Sequence, residues 1–215
     1  MIHGDEIDFG DPRGLADLGT FVRRALVAQP DGAVRLHVAG PRVLAVTVAV
    51  LEGSGVLAEG TVLGLRAVPI ASATAPVDVA VAIRSVTDRL ARLGPSDTVL
   101  GVPEVTVAPP WAGLTPPRQG WERVGTVSAT DVKSLAERGI AAVAEGTPEG
   151  AGGPAVAALR RRVWGAMSET VPPIAAGLAF GAHVLGFIGE GEKPVVAACG
   201  RWTRLSTSRG HVLMR

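Results

Sequence analysis

Residues 108–127 limit the fold of this chain more than any other stretch. They hold Pro109, Pro110, Pro116 and Pro117, with Trp111 and Trp121 among them. Proline lacks a backbone N–H and fixes φ, so this run is expected to be an irregular connection rather than a helix or an inner strand. The hydrophobic period differs on its two sides. Before it, after one helix, apolar residues mostly alternate with polar ones; beyond it they recur every three to four positions.

The strand-rich half covers 1–107. Asp11-Pro12 reads as an N-cap with proline at the first helical position, and Leu15, Leu18, Val22, Ala25 and Leu26 follow at helical spacing. The period then becomes two. Val34, Leu36 and Val38 form one strand, Val43 to Leu51 a second, Thr61 to Ile70 a third and Val77 to Ile83 a fourth. Ser85 to Asp88 suggests a capped short helix, and Thr98 to Val107 a further strand. The helical half, 128–215, opens at a cap in Ser128 to Asp131. Pro154 starts a helix carrying Val156, Leu159, Val163 and Met167, and Ile174 to Ile188 forms a buried one. The chain closes as a hairpin, with Val195 to Leu205 and His211 to Met214 as its arms.

The expected fold is therefore α+β: a mostly antiparallel sheet, made of an N-terminal meander and the C-terminal hairpin, with four to five helices packed against it. A single domain over 1–215 is expected. Hydrophobic residues make up 47% of the chain and charged ones 19%, enough apolar material for a sizeable core. Tyr is absent, so that core must be aliphatic.

Charge and cysteine usage narrow the chemistry. The formal net charge of +1 gives no global steering towards nucleic acid or membrane. It is unevenly spread: residues 1–153 hold 13 basic and 17 acidic side chains, and 154–215 hold eight and three. Cys199 is the one cysteine, which rules out a disulfide within the chain and a multi-cysteine zinc site. The acidic start of the sequence has no apolar signal core, and Val171 to Ile188 is broken by Pro172, Pro173 and His183. A cytoplasmic, membrane-free protein is expected.

No cofactor motif is found. Gly150-Ala151-Gly152-Gly153 precedes a helix but follows no strand, and it reads as a flexible join. His3 with Asp5, Glu6, Asp8 and Asp11 matches no metal-loop spacing, so no metal is expected. His183, in an apolar helix, is either a base or ligand or a core histidine bonded to a carbonyl. Cys199, two residues from Arg201, is either an activated thiol or a small buried side chain. Arg160, Arg161 and Arg162 on one helix, with Arg201, Arg204, Arg209 and Arg215, form the candidate anion-binding set; the other reading is a solvated face. Trp111 and Trp121 are candidate protein contacts, or else they seal the core beneath the loop.

Two stretches carry a family resemblance. They are Pro116-Pro117-Arg118-Gln119-Gly120-Trp121 with Val124-Gly125, and Gly200-Arg201-Trp202-Thr203-Arg204-Leu205 with Arg209-Gly210-His211-Val212-Leu213. They resemble a conserved hypothetical protein family of high-GC Gram-positive bacteria, mainly over the second half. The resemblance implies no activity, ligand or catalytic residue.

Three functions follow, in order. The first is a non-enzymatic protein acting through protein contact or self-association, by the Pro/Trp loop or an exposed edge strand. The second is binding of nucleic acid or another anionic ligand by the C-terminal arginines. The third is an enzyme whose site gathers His183, Cys199 or an arginine from separate elements.

Overall fold

The computed structural model describes residues 4–55, 58–147 and 152–215. Its elements run β1 (Glu6–Asp8), α1 (Pro12–Ala28), β2 (Ala33–Gly40), β3 (Val43–Leu51), β4 (Val62–Pro69), β5 (Ser72–Ala73), β6 (Asp78–Ala82), α2 (Ile83–Leu90) and β7 (Val99–Gly101). After a one-turn 3-10 helix (Pro110–Gly113) come β8 (Glu122–Thr126), α3 (Ala129–Glu145), α4 (Gly153–Gly165), α5 (Ala176–Val184), β9 (Val195–Cys199), β10 (Trp202–Thr207) and β11 (Gly210–Met214). Hydrogen bonding orders the strands as β5-β1-β7 and as β6-β2-β3-β4-β11-β10-β9-β8. The fold is α+β with antiparallel pairing, as the alternation of periods implies.

The chain divides into two compact units, Met1–Val50 with Leu65–Thr115, and Leu51–Gly64 with Pro116–Arg215. In the first unit, Asp11 caps α1 by accepting from the Arg13 N–H at 2.8 Å, and Pro12 takes the first turn. Leu18, Phe21 and Val22 of α1 are buried, as are Val34, Leu36, Val46 and Val48 of the strands. Helix α2 starts at Ile83, two residues before the capping signal at Ser85: the Ile83 N–H bonds the Gly32 carbonyl at 3.0 Å, and Ile83 and Val86 are fully buried. Tertiary burial here outweighs the cap signal. The expected strand from Thr98 to Val107 shrinks to β7, because Pro103 cannot continue a ladder. Beyond it Thr106 bridges to Val81 of β6, and the Val107 N–H bonds the Ala80 carbonyl at 2.8 Å. The acidic start holds a strand, β1, that the sequence did not suggest.

In the second unit, Ser128 caps α3, accepting from the Asp131 N–H at 3.0 Å. Six of the nine residues of α5 are buried, as expected of its all-round apolar sequence. For α4 the anchor is Trp164, which is buried, while Met167 beyond its end is exposed. The final segment differs from expectation. Val195 to Leu205 is not one arm, because Gly200 adopts φ +56 and turns the chain, which splits the arm into β9 and β10. Residues 122–126, expected to be irregular, form β8 against β9 with a register shift between Arg123 and Gly125. Among the described residues no helix is long and apolar enough to cross a membrane.

Candidate functional site

Alternate residues of a strand face opposite ways, so register sorts the second unit's sheet into two faces. Leu205 lies opposite Val196 and Val212, and all three are buried. Met214 and Thr203 share that side, and a Cβ on Gly177 of α5 would stand 3.2 Å from the Met214 sulfur. This is the helix-covered face. The other face carries Trp202, Arg204 and Ser206 of β10 opposite Cys199, Ala197 and Val195 of β9. Next to them on β11, Leu213 lies opposite Arg204 and His211 opposite Ser206. Arg123 of β8 lies opposite Ala197. Arg215 continues the alternation, its backbone bonded to Thr61 and Gly60 at 3.2 and 2.7 Å.

The end of the proline-rich stretch folds down onto this face. The Trp121 indole N–H donates to the Pro117 carbonyl at 2.8 Å, which closes the loop on itself. The Arg204 guanidinium stacks on the Trp121 ring at 4.4 Å from its centroid. The Cys199 thiol points at the Gln119 carbonyl, 3.6 Å away. Gly120, at φ +78, lets the chain pass over the sulfur.

The charged residues that register places on this face of β8 to β11 are Arg123 and Arg204, with Arg215 just beyond β11 and His211 titratable among them. Burial lowers the pKa of Arg204. Burial also lowers that of His211, and the neighbouring Arg204 charge adds to the effect. The His211 Nδ1 lies 3.0 Å from the Ser206 hydroxyl. The Nε atoms of Arg204 and Arg215 are both buried and have no hydrogen-bond partner. Buried donors are ordinarily paired, so two bare ones on one face are unusual.

The residues singled out in the sequence distribute unevenly. Trp121, Cys199 and Arg204 converge on this face. Arg201 lies exposed in the turn at Gly200, so it does not share a strand face with Cys199, and the activated-thiol alternative loses the neighbour it was argued from. Arg209 lies in the β10–β11 turn and donates to the Gly186 carbonyl at 3.3 Å. Arg160 and Arg161 are exposed on α4. Trp111, at 3% exposure in the 3-10 helix of the first unit, presents no contact surface. His183 is half-buried on α5, which covers the opposite face of the sheet from Cys199. His3, Gly150 and Ala151 lie outside the described residues. Among the described residues no cluster of three or more His, Cys, Asp or Glu is arranged to hold a metal. In the first unit, a groove of 170 Å³ between α1 and the end of α2 is lined by Leu15, Gly19, Arg23, Leu90, Leu93 and Pro95, among others. Its lining includes neither histidine nor cysteine.

Sequence reasoning missed His211, Trp202 and Arg123 as members of one site. The signal was present in part: a turn centred on Ser208-Arg209 sets Ser206 opposite His211 and places Arg204 on the same face.

The fold has counterparts among solved structures. Over nearly its whole length the chain superposes on bacterial DNA polymerase III beta sliding clamps. For a clamp from Bartonella birtlesii bound to griselimycin, the TM-score is 0.58 at 12% identity, covering 98% of this chain and 64% of that one. A putative beta subunit from Eubacterium rectale ATCC 33656 gives 0.58 at 6% identity, covering 99% and 65%. The Helicobacter pylori beta clamp bound to a DNA ligase peptide gives 0.52 at 9%, covering 98% and 66%. The chain thus spans about two-thirds of these clamps' length, and at such identities the likeness is one of fold. No curated protein matches the sequence. Residues 3–113 match the family described as a domain of unknown function, DUF8010, and the chain belongs to that family. Residues 116–215, which contain the motifs quoted above, match a second such domain, DUF8185.

Proposed function

We propose that this protein is a cytoplasmic, non-catalytic contact protein with the architecture of a sliding clamp, and that it works as a self-associated assembly. The observation that carries this reading is the fold match over 98–99% of the chain to polypeptides about half as long again. A clamp-like chain of two-thirds length supplies only part of such a body, and further copies are proposed to complete the assembly. Strand β8 is the contact we favour. It ends the larger strand order, so its outer edge has no strand partner among the described residues, and Val124 on it is 53% exposed. The opposite end of that order, β6, is partly covered by the Thr106 bridge.

The test is the molar mass in solution, by size-exclusion chromatography with light scattering, for the wild type and for Val124→Glu. The wild type is expected to associate. The variant is expected to weaken association by about tenfold, the loss of one buried valine at a contact. A wild type that remains a monomer at every concentration would refute the reading.

A further inference from the structure

We propose that the loop between α4 and α5 is a knob that seats Val171 in the α1–α2 groove of a second copy, with Glu169 against that copy's Arg23. The inference rests on the self-association reading and names a contact beyond the β8 edge.

The loop holds an apolar side chain out in water. Val171 is 91% exposed, more than any other large hydrophobic residue described. The backbone beneath it is pinned by a relay of hydrogen bonds. The Ile174 N–H donates to the Ser168 hydroxyl at 2.9 Å, that hydroxyl lies 2.6 Å from the Thr170 hydroxyl, and the latter donates to the Pro172 carbonyl at 2.8 Å. The Ser168 N–H bonds the Ile174 carbonyl at 2.8 Å, and Ile174 is buried. A loop fixed in this way has little freedom left to lose on docking, and its valine gains from being covered. Two residues before Val171, Glu169 is exposed and has no ion-pair partner among the described residues. The loop also abuts β8, since a Cβ on Gly125 would stand 2.8 Å from the Pro172 ring. The knob therefore stands beside the edge strand that carries Val124.

The groove of the first unit is the matching hole. Leu15, Leu90, Leu93 and Pro95 line it, and its volume is 170 Å³. Pockets for drug-sized molecules start at about 300 Å³, whereas an apolar cavity of about 150 Å³ takes up benzene. The size thus suits one aliphatic side chain. Arg23 and Asp97 also line the groove. The Arg23 guanidinium bonds the Thr20 hydroxyl at 3.4 Å and has no acidic partner among the described residues. Asp97 accepts from the Gly94 N–H at 2.7 Å. An incoming acid is attracted by Arg23 and repelled by Asp97, which sets the direction in which the knob enters. Glu169 is the acid the knob carries.

Knob and groove match in size and in charge and belong to one sequence, which makes a second copy the occupant. They are different surfaces, so the contact is heterologous: a copy gives its knob to one neighbour and its groove to another.

The experiment is light scattering on the full chain over graded concentrations. It compares the wild type with Val124→Glu, Val171→Asp, Glu169→Arg, Arg23→Glu and the chain carrying both charge reversals. We expect Val171→Asp to raise the dissociation constant about tenfold and each single reversal about fivefold. The double reversal should recover most of that loss, because the ion pair re-forms with its signs exchanged. Circular dichroism establishes that each variant is folded, and should Val171→Asp fail to fold, Val171→Ser is read in its place with the same expectation. The knob-in-groove contact is overturned, and the β8 reading left standing, if Val124→Glu weakens association while Val171→Asp or the single reversals do not. It is equally overturned if the double reversal associates no better than the singles. A wild type that never associates removes both readings together.

Discussion

At the scale of single residues, the positive face of the second unit makes His211 an acid-sensitive point. Its folded pKa lies below the ordinary value, through burial first and the Arg204 charge second, while the unfolded chain titrates near 6.5. Above about pH 6.5 both states hold a neutral imidazole and His211 contributes no pH dependence. As the pH falls below that, the unfolded state takes up the proton first, so stability declines. Denaturant titrations at pH 7.5 and 5.5 should show a smaller acid loss for His211→Asn than for the wild type. A second residue-scale test lies at Gly139 of α3. A Cβ there would stand 2.3 Å from the Trp164 ring, which is buried and stacked at 4.3 Å on Phe180. Because a ring in a packed core cannot yield cheaply, Gly139→Ala is expected to cost about 1–3 kcal/mol in chemical denaturation, despite the better helix propensity of alanine. Nothing in the sequence announces this pair. Gly139 reads as one glycine in a helix, and its partner lies 25 positions further on. The Trp121–Arg204 stack was hidden for the same reason: each residue stood out by type, but 83 positions separate them.

At the scale of elements, legibility follows locality. Helices α1 and α3 could be read with their starts because Asp11, Pro12 and Ser128 act within one turn of themselves. Removing the α1 cap with Asp11→Ala should lower stability by about 1 kcal/mol, measured as a shift in denaturation midpoint. Strand β8 was not legible, because the prolines before it dominate the local pattern and its pairing with β9 comes from about 70 residues away. The turn at Gly200 was missed because Val195 to Leu205 is continuous in strand-forming residues, and a lone glycine in such a run reads as a weak point rather than a reversal. Its φ of +56 shows what the residue is for. Gly200→Ala should cost about 1–2 kcal/mol in the same assay, the penalty for a Cβ in left-handed backbone.

At the scale of the molecule, the α+β class and antiparallel pairing were readable from the change of period across residues 108–127. The clamp-like architecture was not. The strand order β11-β10-β9-β8 involves pairings remote in sequence, such as that of β8 with β9. The uneven charge was visible early, but its placement was not, since only the register of β9, β10 and β11 gathers Arg204, Arg215 and His211 on one face while leaving Arg201 and Arg209 in turns. The proposed function of the whole molecule turns on association. The most direct measurement is molar mass by light scattering across a hundredfold range of protein concentration. A species at an integral multiple of 21.9 kDa, diminished by Val124→Glu, is what the proposed self-association through β8 should give. A constant 21.9 kDa for the wild type throughout that range would contradict it.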